Sequence, residues 1–150
     1  MVGKKFESEG IAKNGAKLVS AVSNANVPKI TAILGASYGA GNYGMCGRAY
    51  SPNFLYMVPS SKISVMGGTQ ASEVLSLVKF KGKGRKDQVE TFKQNIIDNY
   101  ERQGNAYYST SRLWDDGIIM PRDLRRVLGL SVAVSLNAEI EDTTHGVFRM

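Results

Sequence analysis

Apolar residues recur at helical spacing from Glu9 to Asn26, at Ile11, Gly15, Leu18, Val19, Val22 and Ala25, with Lys13 and Lys17 off the stripe. That spacing predicts a core-packing helix with solvated lysines, closed by Pro28. The period then changes. Lys29–Leu34 (KITAIL) is a β-branched apolar run that predicts a strand, and Gly35–Pro52 (GASYGAGNYGMCGRAYSP) follows it as a glycine-rich turn into a helix-compatible stretch over Tyr43–Tyr50. Ser51-Pro52-Asn53 is a turn, Phe54–Val58 a short strand, Pro59-Ser60-Ser61 a second turn and Lys62–Met66 another strand. Gly67-Gly68 breaks the chain again, and Thr69 is placed to cap a helix that runs to about Val78.

Lys79–Lys86 (KFKGKGRK) has no apolar period and reads as a solvated basic connector between two helices. The second of these carries Val89, Phe92, Ile96, Ile97 and Tyr100 over Asp87–Arg102 and ends at Gly104. A short helix over Ser109–Trp114, a turn at Asp115-Asp116-Gly117, a brief strand at Ile118-Ile119 and a long helix from Pro121 complete the pattern. Glu139–Met150 is a polar tail whose Val147-Phe148 predicts docking on a neighbour. The strand, glycine turn and helix occur twice in tandem, which predicts an α/β fold: a layered spiral of repeated strand-turn-helix units within one domain.

The glycine stretch is the most unusual segment, with five of the chain's 16 glycines, Gly35, Gly39, Gly41, Gly44 and Gly47, in its first thirteen residues. Glycine costs backbone entropy, so such a run fits a chain that turns sharply or approaches another group closely. The first amides of a helix lack intrahelical acceptors and suit an anion or a developing oxyanion. Gly39, Gly41 and Gly44 also spell the dinucleotide fingerprint G-x-G-x-x-G, but that mechanism needs an acid about 20 residues on to hold the ribose. No Asp or Glu occurs between Glu9 and Glu73, so nucleotide binding is set aside.

Composition sharpens this picture only at a few points. A formal charge of +6 favours anionic partners. Aromatic and basic residues are not interleaved as on a nucleic-acid surface, so phosphate on a small molecule is the better expectation. The single cysteine, Cys46, excludes an internal disulfide framework and reads as a small buried apolar residue, which fits a reducing compartment. No N-terminal apolar signal region and no run of membrane-spanning length appears, so neither a nucleic acid nor a membrane is expected as partner.

From Gly10 to Ser72 the charged residues are Lys13, Lys17, Lys29, Arg48 and Lys62, with no acid and no histidine. Side-chain acid/base catalysis has no candidates there. His145 lies in the tail and reads as structural or solvated, adjacent Asp115 and Asp116 read as turn formers, and no metal-ligand cluster is spelled out. What remains is catalysis by preorganised backbone N–H groups stabilising an enolate or similar oxyanion, a chemistry suited to thioesters.

SYGAGNYGMCGRAYSP, then ISVMGG with Gln70 soon after, then YYSTSRLWDDGII and the closing IEDT…GVFRM together resemble methylcrotonoyl-CoA carboxylase β subunits, nearly end to end. The chain departs from the family's usual reading at Val58, Ser60, Ser61, Lys62, Thr69, Met120 and Arg122, and its basic connector is shorter and more basic. The resemblance implies a crotonase-like (ClpP/crotonase) fold and a biotin-dependent acyl-CoA carboxylase. In that family a carboxyl group moves from carboxybiotin to 3-methylcrotonoyl-CoA, biotin being bound covalently to a partner α subunit and supplying its own base.

It further implies that residues 1–150 are most of the C-terminal carboxyltransferase domain, incomplete at the N-terminal side. A preceding domain would bind most of the acyl-CoA, so this stretch alone is expected to be inactive. Other β subunits are expected as partners, in a hexamer, with the protein in the mitochondrial matrix if the source is eukaryotic and in the cytoplasm if bacterial. Carried onto this sequence, the catalytic stretch is Gly39, Ala40 and Gly41, the amides of Ala40 and Gly41 forming an oxyanion hole for the biotin ureido oxygen. Tyr38, Asn42, Tyr43, Gly67 and Gly68 are the residues expected to bind substrate or biotin; no metal is expected. A geranyl-CoA carboxylase β subunit, which shares most of these motifs, and a non-catalytic CoA-binding or assembly module derived from the family are the alternatives.

Overall fold

A computed structural model of the chain describes residues 3–140 and 142. It divides into two compact units, each built from segments distant in sequence. The first takes the described residues of Met1–Thr31, Ala40–Leu55 and Arg122–Met150, the second Ala32–Gly39 and Tyr56–Pro121.

The first unit is helical. A short α1 (Lys4–Ser8), which the apolar pattern does not announce, precedes α2 (Ile11–Asn24). α2 stops four residues before Pro28, so the proline is not what ends it. The Asn24 Nδ2 and the Ser23 Oγ both donate to the Ser20 carbonyl, at 2.8 and 3.1 Å. Side chains that capture carbonyls of the last turn compete with the next helical amides. The expected core-packing helix buries no residue fully within this chain. Leu18 nevertheless reaches the glycine stretch. α7 (Leu124–Ser135) follows a 3-10 turn at Pro121–Asp123, as the proline at the start of the apolar pattern predicts.

Two strand pairs carry the β structure. β1 (Ile30–Ile33) pairs with β3 (Phe54–Met57), and β2 (Ala36–Tyr38) with β4 (Lys62–Ser64). β2 is a correction to the sequence reading, which placed Ala36–Tyr38 in the turn. Its three residues lie parallel to β4, with Ala36 opposite Lys62, Ser37 opposite Ile63 and Tyr38 opposite Ser64. So short a strand has no period of its own, and only the partner's free edge makes it one.

In the second unit α4 (Gly68–Phe80) and α5 (Lys86–Gly104) pack against each other along their length. At one end a Cβ on Gly68 would stand 3.1 Å from the Tyr100 Cβ, so the two helices meet with no room for a side chain there. At the other end Phe80 and Phe92 stack edge to face with ring centres 5.6 Å apart, and the Lys79 ammonium sits 4.0 Å from the Phe92 centre. The basic connector therefore shrinks to five residues, and Lys79 belongs to a packed aromatic pair. Thr69 is not the cap of α4: Gly67 holds that position with no side-chain cap, and Thr69 lies inside the first turn.

α6 (Ala106–Ser111) is capped by Asn105, whose Oδ1 accepts the Tyr108 N–H at 2.9 Å. Behind it the reading of Asp115 as a turn former holds, and the structure adds a role. Its buried carboxylate accepts from the Ser109 Oγ (2.5 Å), the Thr110 Oγ1 (2.7 Å) and the Gly117 N–H (3.1 Å). Gly117 and Ile119 then flank fully buried Met57, the Met57 N–H donating to the Gly117 carbonyl and the Ile119 N–H to the Met57 carbonyl. The brief strand expected at Ile118-Ile119 is this parallel bridge. The tail from 143 on, with His145 and Val147-Phe148, lies outside the described residues.

Removing the Asp115 carboxylate strands two hydroxyls and one amide. Asp115→Ala should lower the unfolding free energy of the full-length protein by about 2–4 kcal/mol in urea titration, and Asp115→Asn by less. Loss of under about 0.5 kcal/mol would show that the cluster does not hold this loop.

Candidate functional site

The glycine stretch begins where β2 ends. The Gly39 N–H donates to the Ser64 carbonyl at 3.2 Å, which extends the β2–β4 ladder by one bond and fixes where the chain leaves it. Gly39 then takes φ +57, and a Cβ there would lie 3.0 Å from the Val65 carbonyl oxygen. A side chain is thus opposed twice, by backbone conformation and by contact. In the same unit the Tyr38 ring, partly exposed, runs beside Gly67: its Cε2 is 3.6 Å from where a Gly67 Cβ would stand. Tyr38 and Gly67 are thus brought together, whereas Gly68 serves the contact of α4 with α5.

From Ala40 on, the stretch belongs to the first unit. Ala40 is right-handed helical at φ −63, ψ −20 and caps the single turn α3 (Gly41–Gly44). Its carbonyl accepts the N–H of both Tyr43 and Gly44, at 3.1 and 3.4 Å. Among the described residues, the amides of Ala40 and Gly41 have no acceptor. Two adjacent donors on a chain fixed on both sides is the arrangement the oxyanion-hole expectation asks for.

The other glycines have different reasons. A Cβ on Gly44 would stand 3.0 Å from the Leu18 Cδ2, so α2 closes over α3 there. The Gly47 N–H reaches the Asn42 carbonyl at 2.5 Å, and a Cβ on Gly47 would lie 2.7 Å from that oxygen. Gly35 and Gly41 meet nothing within 4 Å. Gly44 and Gly47 therefore answer to internal packing, and Gly35 and Gly41 are the open positions. Beyond the turn, Thr31 Oγ1 ties Cys46 down by donating to its carbonyl at 2.8 Å; Tyr43 stacks edge to face on Tyr50 at 5.7 Å and is about half exposed.

Sequence reasoning missed one group in the second unit. Lys62, on β4, gives two short hydrogen bonds to the carboxylate of Glu101 on α5. The two residues are 39 positions apart with no periodic relation, so only the tertiary fold could have shown the pair. Among the described residues no cluster of three or more metal-ligating side chains occurs, and the donor set at the turn is made of backbone amides, which suit an anion.

Comparison with known proteins finds likenesses over nearly the whole chain. The carboxyl transferase domain family matches residues 1–148. The chain is 55% identical to the mitochondrial methylcrotonoyl-CoA carboxylase β chain of Arabidopsis thaliana, covering all of this chain and 27% of that protein. It is 54% identical to the biotin-dependent 3-methylcrotonyl-coenzyme A carboxylase β1 subunit of Mycobacterium tuberculosis, over all of this chain and 30% of that one. Among solved structures it is similar to the β subunit of P. aeruginosa geranyl-CoA carboxylase, with a TM-score of 0.83 and 42% identity over all of this chain and 30% of that chain. The chain thus spans under a third of the length of the relatives it matches. The structural likeness is to a crotonase-like carboxyltransferase subunit, as the α/β spiral of the sequence reading requires.

The sorting of the glycines is testable without an assay. Gly47→Ala should destabilise the full-length protein by about 2 kcal/mol or more, because a Cβ meets a backbone oxygen that cannot move aside. Gly41→Ala should fall within about 1 kcal/mol of wild type, since it fills open space in a helical turn. Equal thermal melting of the two variants would contradict the assignment.

Proposed function

Because the chain belongs to the carboxyl transferase domain family, we propose that it is most of the C-terminal domain of the β subunit of a biotin-dependent acyl-CoA carboxylase. Its acyl substrate in this reading is 3-methylcrotonoyl-CoA, supported by the higher identity to methylcrotonoyl-CoA carboxylases than to the geranyl-CoA enzyme. The geranyl-CoA reading is the second, supported by the structural likeness just given. The single observation that carries the reaction is the pair of acceptor-free amides at Ala40 and Gly41.

Biotin, held on a partner α subunit, brings the carboxyl group and its own base. The chain's part is electrostatic. The Ala40 and Gly41 N–H groups would hold the biotin ureido oxygen and stabilise negative charge there. They are preorganised, so little reorganisation accompanies the step. Gly39 at positive φ makes the turn that presents them. Tyr38, Asn42 and Tyr43 flank the turn in sequence and are assigned to substrate or biotin, as is Gly67, where a Cβ would collide with the Gln70 side-chain oxygen beside the Tyr38 ring. Gly68 stays in the assignment only through its neighbour, since its own contacts are with α5.

The remaining partners are the other β subunits of a hexamer and the acyl-CoA, most of which would be bound by a preceding domain. Support comes from apolar residues left on the surface of each unit, such as Met45 and Leu130 in the first and Val65 and Leu113 in the second. The mitochondrial matrix is the proposed location for a eukaryotic source and the cytoplasm for a bacterial one. No helix among the described residues is long and apolar enough to cross a membrane.

Ala40→Pro is the most selective test. The native φ of −63 fits a pyrrolidine ring, and the preceding residue is a glycine, which has no Cβ to clash with it. The substitution therefore deletes one amide hydrogen and leaves the turn in place. In the full-length β subunit assembled with its α partner, carboxylation of 3-methylcrotonoyl-CoA should fall on the order of a hundredfold with the acyl-CoA KM little changed. An unchanged rate would overturn the assignment, and a higher kcat/KM for geranyl-CoA in the wild type would exchange the substrate.

A further inference from the structure

Lys62 reads in the sequence as one isolated positive charge, and the fold surrounds it with two groups that give it more to do. On the parallel β2–β4 pair, Ala36 lies opposite Lys62 and Tyr38 opposite Ser64. Residues two apart on a strand share a face, so Tyr38 and Lys62 rise from the same face as diagonal neighbours. From α5, Glu101 reaches the same ammonium with both carboxylate oxygens, at 2.6 and 2.5 Å. An ammonium has three donors, so two are spent on Glu101 and one is left over.

The hydrogen bond that Lys62 donates to Glu101 raises its pKa above the ordinary 10.5; burial works against this, and the charges of Glu101 and Tyr38 add to the rise. Lys62 is therefore a fixed cation through the whole neutral range. Whatever stability the pair contributes is complete below pH 10.5 and is lost only as pH rises through the raised value.

As a structural device the pair is weak. Lys62 is 41% and Glu101 55% exposed, and exposed ion pairs contribute roughly 0–1 kcal/mol. Two short bonds to one carboxylate do, however, hold a long flexible side chain in one place. The Tyr38 ring also runs beside Gly67, its Cε2 3.6 Å from where a Gly67 Cβ would stand. The Lys62 ammonium feels Tyr38 electrostatically, so the phenol stands within reach of its charge.

We propose that Lys62, clamped by Glu101, is a positioning residue that holds Tyr38 for recognition of the biotin end of the carboxyl donor. This rests on the reading of Tyr38 as a biotin-binding residue given above. The positive charge polarises the Tyr38 O–H toward an incoming carbonyl or ureido oxygen and leaves the acyl-CoA end untouched. The effect is one of binding and orientation, with no proton transferred by Lys62.

The test uses the full-length β subunit. Its affinity for the isolated biotinylated carrier domain of the α subunit is measured by calorimetry, and the KM for each substrate in the assembled enzyme. Lys62→Met should weaken carrier-domain binding about tenfold and leave the acyl-CoA KM unchanged, and Lys62→Arg should restore most of the loss; a tenfold change corresponds to about 1.4 kcal/mol. Tyr38→Phe should show the same loss, and the double variant should bind no worse than Tyr38→Phe alone. Should Lys62→Met fold poorly, Glu101→Gln carries the test, since it removes the clamp's charge and keeps its shape. Unchanged carrier binding, full additivity with Tyr38→Phe, or an equal rise in the acyl-CoA KM would each overturn the positioning role. If Ala40→Pro is slow while Lys62→Met binds normally, only this inference fails; if Ala40→Pro runs at full speed, the functional reading fails first.

Discussion

The parallel pairing of Ala36–Tyr38 with Lys62–Ser64 is the constraint on which the candidate site depends. Three residues are enough to set it, because each backbone bond in the ladder also dictates which side chains share a face. One further bond, from the Gly39 N–H to the Ser64 carbonyl, ends the ladder and starts the turn at the one residue that can take φ +57 there. A slip of one residue would turn the strand's side chains to the opposite face and set Tyr38 or Ala40 in place of Gly39 at the bend. Register therefore decides where the free amides of Ala40 and Gly41 begin and which residues stand beside Tyr38.

The glycines divide by the force that selects each. Gly39 answers to backbone conformation, Gly47 to the carbonyl of Asn42, Gly44 to the side chain of Leu18 and Gly68 to α5. Gly41 answers to nothing inside the described chain. A substitution there is tolerated by the fold, so any selection for glycine at Gly41 acts through what approaches the turn. The amides of Ala40 and Gly41 lack acceptors among the described residues, none of which fills that space.

Burial tells a parallel story within each unit. Buried apolar side chains among the described residues are few, Ile33, Cys46, Leu55, Met57, Val58, Ala71 and Ala106, and the buried polar set is about as large, dominated by serines. Small hydroxyls that bond a carbonyl of the preceding turn, as Ser72, Ser76 and Ser131 do, let helices approach without an unsatisfied group. Such close backbone packing is stable with little apolar volume, provided the outer apolar residues find cover. In the proposed reading that cover comes from the rest of a longer subunit.

The sequence by itself determined most of the strand and helix order, α1 and Ala36–Tyr38 apart, the sharp turn at Gly39 and the turn role of Asp115. All of these are local: they follow from period or from the φ that a glycine allows. The motifs taken together also carried the family, because several specific segments in order leave few alternatives. Only the tertiary structure decided that Ala36–Tyr38 is a strand, that Gly67 and not Thr69 caps α4, that Lys79 packs on Phe92, and that Lys62 meets Glu101. Each of those depends on a partner many residues away, and neither propensity nor spacing encodes which edge, ring or carboxylate the folded chain will bring to it.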